Sequence, residues 1–280
     1  MNEHRLRIGD RDVLLLEGPA GWGECSPLTG YPCDPASARA AAEEAARVGW
    51  PALRRDRVDV NALVDATSDV PDALAARVVK VKVGRATPAA DVDRVARLRA
   101  QLGPAVTIRL DANGAWDVET AVGFLDATAK YDIEFVEQPV ASMDDLVTVR
   151  RRSVVPVAAD ECVRSVADAV RLRARSAADV LVLKVQPLGG VRPALAVAEA
   201  AGLPVVVTSM FETSIGIAAG LALACALPDP PLACGLATLD RIAGDVVGDP
   251  LVPHSGVLTV PDDLPPVPDP ALLERYRVAA

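Results

Sequence analysis

Residues 106–139 read VTIRLDANGAWDVETAVGFLDATAKYDIEFVEQP. The run opens on a β-branched segment ending in Asp111 and passes a capping aspartate at Asp117. Val118, Ala121, Val122, Leu125 and Ala129 then recur at helical spacing, and a second β-branched segment ends in Glu137. A short strand, an amphipathic helix and a strand again is the pattern of parallel pairing through a crossover. The same unit continues on both sides. Further candidate strands lie at Arg77–Val83, Val155–Asp160, Val180–Lys184, Pro204–Ser209 and, weakly, Leu232–Leu236. Thr87-Pro88, Asp117, Ser142 and Ser165 supply the helix starts between them.

The strands repeat every 23 to 29 residues, which suits a closed barrel. A doubly wound open sheet is the alternative, but no G-x-G-x-x-G follows any strand. The expected fold is therefore α/β, a (β/α)7β-type TIM barrel over residues 77–254. The first 76 residues read differently, with Gly18, Pro19, Gly21 and Gly23 interrupting a hairpin and a helix at Ala36–Val48 behind Asp34-Pro35. The last stretch, 255–280, is rich in proline and closes on Leu-Leu-Glu-Arg-Tyr-Arg. Both ends are expected to form a small α+β cap.

Composition narrows the function. The chain has 280 residues, and 51 % of them are hydrophobic, enough for a substantial core. Its 38 acidic against 29 basic residues give a net charge of −9, the wrong sign for a nucleic-acid partner. The first dozen residues hold no apolar signal core, and the longest apolar run, Ile215–Leu227, is too short to span a bilayer. A cytoplasmic enzyme for a small molecule is expected, with no membrane and no obligatory protein partner. The five cysteines form no C-x-x-C pair, so neither a disulfide framework nor a zinc cluster is indicated. With only His4 and His254 present, a histidine-based triad has little to build on.

Of the 29 basic residues only four are lysines: Lys80, Lys82, Lys130 and Lys184. In a chain this rich in arginine, the lysines are enriched where arginine cannot serve, as where a base is needed. In Val79-Lys80-Val81-Lys82-Val83 the period of two sends both lysines to one face. In a barrel that face is the lumen near the C-terminal mouth, where active sites sit. A solvated edge strand would show the same alternation. Asp111, Glu137 and Asp160 end three consecutive strands, 26 and 23 residues apart. Each could be a helix cap; all three together point to a hard divalent cation, Mg²⁺ or Mn²⁺. Lys184 ends the next strand, which in a barrel lies across the lumen from Lys80 and Lys82. A metal flanked by lysines is machinery for removing a proton α to a carboxylate. Gly189-Gly190 before a helix, Ser209, and Thr213-Ser214 at a helix start are further candidates for substrate contact. Ordinary turn and cap chemistry accounts for them equally well. The Trp22 loop could close over a substrate or be a structural hairpin.

The Lys80-x-Lys82, Asp111, Glu137, Asp160 and Lys184 pattern resembles the enolase superfamily, in its muconate-lactonizing branch, over Gly21 to about Thr238. Residues 18–24 (GPAGWGE) with Ser26-Pro27, 209–216 (SMFETSIG) and 234–238 (CGLAT) are similar to the o-succinylbenzoate synthase family, in its short actinobacterial form. The resemblance implies that Lys82 is the base, with Lys80 beside it on the substrate carboxylate. It further implies Asp111, Glu137 and Asp160 as Mg²⁺ ligands, Asn113 as support, and Lys184 stabilising an enediolate from the opposite face. The implied reaction is syn dehydration of 2-succinyl-6-hydroxy-2,4-cyclohexadiene-1-carboxylate to o-succinylbenzoate, a step of menaquinone biosynthesis. Cys25 stands where this family's loop is expected to carry phenylalanine. Two other activities compete: racemisation of N-succinylamino acids on the same machinery, and a metal-independent Schiff-base lyase using Lys184. No Asp-x-Asp follows Cys234, which counts against a dipeptide epimerase.

Overall fold

Three antiparallel strands, β1 (Asn2–Ile8), β2 (Arg11–Gly18) and β3 (Gly21–Cys25), open the chain and pair in that order. The computed structural model describes residues 1–65 and 76–278; residues 66–75, within the stretch expected to form the cap, lie outside it. Alternation along the strands sends Leu6, Ile8, Val13, Leu15 and Trp22 to one buried cluster. Leu16 goes to the other face, against Ala42 and Ala46 of α1 (Pro35–Arg47). That helix starts on the Asp34 carboxylate, which accepts the Ala36 N–H at 3.1 Å, with Pro35 in its first turn. The fit is close: a Cβ on Gly23 would stand 2.1 Å from the Ala42 carbonyl oxygen, and one on Gly18 2.3 Å from that of Ala46. A short strand, β4 (Arg57–Asp59), follows.

Next comes the repeating part: β5 (Ala62–Val64), β6 (Val78–Lys82), α2 (Pro88–Leu102), β7 (Thr107–Asp111), α3 (Val118–Thr128), β8 (Ile133–Glu137), α4 (Met143–Arg152), β9 (Val157–Ala159), α5 (Val166–Arg175) and β10 (Val180–Leu183). It continues through α6 (Val185–Leu188), α7 (Val191–Ala201), β11 (Val205–Val207) and α8 (Ser214–Ala226), and the chain ends with β12 (Val257–Thr259) and α9 (Pro270–Tyr276). The sheet order is β11-β10-β9-β8-β7-β6-β5, consecutive throughout, as crossover helices require. The expected caps are present: Thr87, Asp117, Ser142 and Ser165 each accept a first-turn N–H of the helix they precede.

The chain divides into two compact units. One comprises Met1–Val60, Leu183–Val197 and Val206–Ala280; the other comprises Asn61–Val182 and Ala198–Val205. In the first, the two ends of the chain meet. Leu273 of α9 packs with Leu6 and Ile8, Val278 N–H reaches the Arg5 carbonyl, and β12 pairs with β4. In the second, the sheet begins earlier than residue 77. Ala62, Leu63 and Val64 pair in parallel with Val79, Lys80 and Val81, so the first barrel strand comes from the stretch expected to be cap. The weak strand at Leu232–Leu236 contracts to two residues. Cys234 bridges to Val60 and its N–H to Asp59 O, while Gly235 bridges to Thr208 and exchanges hydrogen bonds with Val207 and Ser209. That clasp joins Val60, two residues before β5, to Thr208, the residue after β11, as the closing segment of a (β/α)7β barrel must.

Among the described residues no helix is long and apolar enough to cross a membrane. All five cysteines are free thiols.

Candidate active site

Strand register assembles the first cluster. Lys82 lies beside Asp111 in the β6–β7 pairing, and Asp111 beside Glu137 in β7–β8. Val79, Val81 and Val83 are buried, and both lysines take the other face, as period-two alternation demands. Lys80 Nζ lies 3.0 Å from Asp111 Oδ2 and 3.1 Å from Glu137 Oε1. Lys82 Nζ donates to the same Asp111 Oδ2 at 2.6 Å and to Asn113 Oδ1 at 2.8 Å. Burial alone would push the Asp111 carboxyl up. The two ammonium groups and their hydrogen bonds outweigh it and hold Asp111 well below the usual carboxylate range.

Two residues past the strand ends complete this geometry, and both adopt the left-handed backbone region that side-chain-bearing residues seldom take: Asn113 (φ 47°) and Gln138 (φ 39°). Asn113, expected to support the site, accepts from Lys82 Nζ and donates its amide to Glu161 Oε1 at 2.9 Å. Gln138 Oε1 accepts the N–H of Asp160 at 2.9 Å and of Cys162 at 3.3 Å, which fixes the main chain at Asp160. Gln138 and Glu161, which touch the cluster's neighbours, are not singled out by the sequence. Each stands next to a strand-end acid, Glu137 or Asp160, which is the signal the sequence offers.

The donor set fits a hard divalent cation. It offers carboxylate oxygens alone, and Asp111 and Glu137 already bracket one positive charge, the Lys80 ammonium. Among the described residues no group of three His, Cys, Asp or Glu side chains is arranged to hold an ion as it stands. Within the cluster the oxygens of Asp111 and Glu137 are turned toward lysines.

Lys184 belongs to the other unit. It is buried, and its Nζ lies 4.5 Å from the centre of the Tyr31 ring. Several expected substrate contacts are engaged elsewhere in that unit. The N–H groups of Gly189 and Gly190 bond the Gln186 and Val185 carbonyls. Those of Val191 and Arg192 go to the Glu44 carboxylate at 2.6 and 3.1 Å, so the chain's own acid fills the expected anion position at α7. A Cβ on Gly190 would stand 2.1 Å from Glu44 Oε2. Thr213 and Ser214 are fully buried, with Thr213 Oγ1 donating to Glu24 and Ser214 Oγ to Asp245. Trp22 is a core residue of β3, tilted against His4 at 5.0 Å, and does not belong to a loop. Cys25 ends the same strand, its thiol pushed up to about 11 by burial. Ser209 keeps a half-buried hydroxyl, 2.7 Å from Thr238 Oγ1.

A second acidic cluster lies here that sequence reading did not find. Glu24 accepts from Ser26 Oγ at 2.5 Å, from Gly216 N–H at 2.9 Å and from Thr213. Glu212 accepts Met210 N–H at 2.6 Å and Gln186 Nε2 at 3.2 Å. Burial pushes the Glu24 carboxyl up to about 7, with the Glu212 charge adding to the push.

An N-terminal three-stranded antiparallel sheet, a seven-stranded sheet in consecutive order, and lysines facing strand-end acids define the class. Residues 58–265 match the family described as enolase C-terminal domain-like, and residues 3–46 match enolase N-terminal domain-like. Muconate lactonizing enzyme from Pseudomonas fluorescens, solved with muconolactone, superposes with a TM-score of 0.85 at 21 % identity, covering 99 % of this chain and 97 % of that one. A dipeptide epimerase from Enterococcus faecalis V583 gives 0.76 at 23 % identity, over 92 % and 94 %. At such identities the likeness concerns the fold. An o-succinylbenzoate synthase of Thermobifida fusca is 53 % identical over 261 residues, 89 % of this chain and 81 % of that protein. One of Mycolicibacterium smegmatis is 44 % identical over 272 residues, 94 % and 83 %. The chain belongs to the o-succinylbenzoate synthase family of the enolase superfamily.

Proposed function

We propose that this chain catalyses the dehydration of 2-succinyl-6-hydroxy-2,4-cyclohexadiene-1-carboxylate to o-succinylbenzoate. The observation that carries the reading is the Lys80–Lys82–Asp111–Glu137 cluster on three adjacent strand ends, in a chain 53 % identical to a synthase of that name. Lys82 acts as the neutral amine, its ammonium having first given one proton to solvent: its Nζ takes the proton from the carbon α to the carboxylate, and the electron pair left behind is shared between the carboxylate, as an enediolate, and the ring. The carbon–oxygen bond of the ring hydroxyl then breaks. Lys82 returns the proton, water leaves, and the ring becomes aromatic. Asn113 holds the Lys82 Nζ at 2.8 Å and fixes the direction from which it approaches. Lys80 keeps its proton and faces the substrate carboxylate, and Lys184 adds a second ammonium against the developing negative charge. Asp111, Glu137 and Asp160 would hold Mg²⁺, with Mn²⁺ as the alternative, which when bound supplies positive charge to the substrate carboxylate as the α-proton is lost.

The test is a direct ultraviolet assay for o-succinylbenzoate, run with Mg²⁺ and then with excess chelator. Rapid dehydration abolished by chelator is the expected outcome. A folded, metal-loaded protein without turnover overturns the proposal. Exchange of the α-proton in both enantiomers of an N-succinylamino acid would then assign racemase chemistry.

A further inference from the structure

Lys184 is held by residues that do not themselves belong to the chemistry. Two positions on, Gln186 is buried with its amide engaged at both ends. Its Oε1 accepts the Ser26 N–H at 2.8 Å, and its Nε2 donates to Ser26 Oγ at 3.3 Å and Glu212 Oε1 at 3.2 Å. The amide has one workable orientation. Reversed, it would set N–H against N–H at Ser26 and carbonyl against carboxylate at Glu212. Ser26 is fixed in turn by Glu24, and by the Arg11 guanidinium, which donates to the Ser26 carbonyl and, at 2.5 and 2.9 Å, to the Met210 and Phe211 carbonyls. Five residues past Ser26, the Tyr31 ring lies against the Lys184 ammonium. The segments 26–31 and 184–186 are thus joined at both of their ends.

We propose that Gln186 and Tyr31 are positioning residues for Lys184. The Gln186 clasp fixes the turn from which the lysine projects, and the Tyr31 ring fixes the direction of its flexible four-carbon stem by cation–π attraction. Glu24 and Glu212 are the acids that hold the clasp in register. The inference rests on the reading that Lys184 acts in the dehydration. A network that only stabilised the fold would lower kcat as much without Lys184 as with it.

The test is a set of variants of the full, Mg²⁺-loaded chain: Gln186→Leu, Tyr31→Phe, Tyr31→Leu, Lys184→Ala, and the first and third each combined with Lys184→Ala. Gln186→Leu and Tyr31→Leu should each lower kcat by about 10- to 10²-fold, the scale of a misplaced group, with KM changed by less than about threefold. Tyr31→Phe keeps the ring face and should stay within about twofold of the parent. With Lys184 already removed, neither leucine variant should lower kcat further, because the group they act through is gone. Equal losses in the presence and absence of Lys184 overturn the inference and leave the dehydration reading intact. So does a Tyr31→Phe as impaired as Tyr31→Leu. Wild-type turnover by Lys184→Ala overturns both. Should Gln186→Leu fail to fold, the two Tyr31 variants carry the same test alone.

Discussion

The two buried acidic clusters of this chain are built on opposite plans. In the β6–β8 cluster, Asp111 is out of water and meets two ammonium groups, and its carboxyl is held far below the ordinary range. In the cluster around β3, Glu24 is equally buried and meets only hydroxyls and main-chain N–H groups, beside a second carboxylate, and its carboxyl is pushed up to about 7. Burial is the same in both; the presence of a full opposing charge decides the sign. Strong charges are concentrated in the cluster proposed to move a proton. Neutral donors serve where a turn is to be held.

The contrast can be tested from its strongest consequence downward. Lys82→Ala should lower kcat by at least the ~10²–10⁴-fold of general-base catalysis, whereas Glu24→Gln in the same assay should lose far less. Comparable losses would mean that the second cluster touches the chemistry directly. Asp111→Ala leaves Lys80 and Lys82 facing each other with one acid fewer, and should cost about 3–5 kcal/mol of unfolding free energy. Denaturant titration in chelator reads this, and a loss near zero would show that the lysines had turned to solvent.

Glu24 gives a sharper test, because its effect depends on pH. A carboxyl raised from 4.5 to about 7 binds its proton more tightly folded than unfolded. Its contribution to stability is therefore complete below about pH 4.5 and is lost as pH rises to about 7. The loss is roughly 3 kcal/mol, taking 1.36 kcal/mol per pH unit. Glu24→Gln should remove that slope, so stability curves of parent and variant should converge toward acid and diverge toward neutrality. Parallel curves would place the Glu24 proton elsewhere. The smallest effect belongs to Glu44, which meets its charge halfway, with two N–H groups and Arg192 at 2.9 Å. Glu44→Ala should cost about 1 kcal/mol, the usual value of a helix cap, as a few degrees in thermal unfolding.

What could be read from the sequence was what is local. The strands at 77–83, 106–111 and 133–137 and the caps Thr87, Asp117, Ser142 and Ser165 declare themselves within a few residues, and the fold follows. β5 does not, since Ala62–Val64 is three residues with no periodicity to count. Gly18 and Gly23 read as turn signals but lie in strands, where they admit α1; Trp22 therefore looked like part of a loop. Lys80, Lys82 and Asp111 were legible because alternation and strand spacing bring them together. The hydroxyls of Thr213 and Ser214 marked a helix start correctly, but their partners could not be inferred. Glu24 is 189 residues from Thr213, and only the folded chain brings the two together.

The clasp at Cys234–Gly235 bears on how the chain is made. Its two residues hold Val60 on one side and Thr208 on the other, so the ring of strands depends on contacts spanning most of the polypeptide. Contacts so distant in sequence form slowly, and a sheet that waits for them has two bare edges. During synthesis every barrel strand emerges before the segment that closes the ring. A ribosome stalled before residue 234 would present an open sheet ready to pair with another chain.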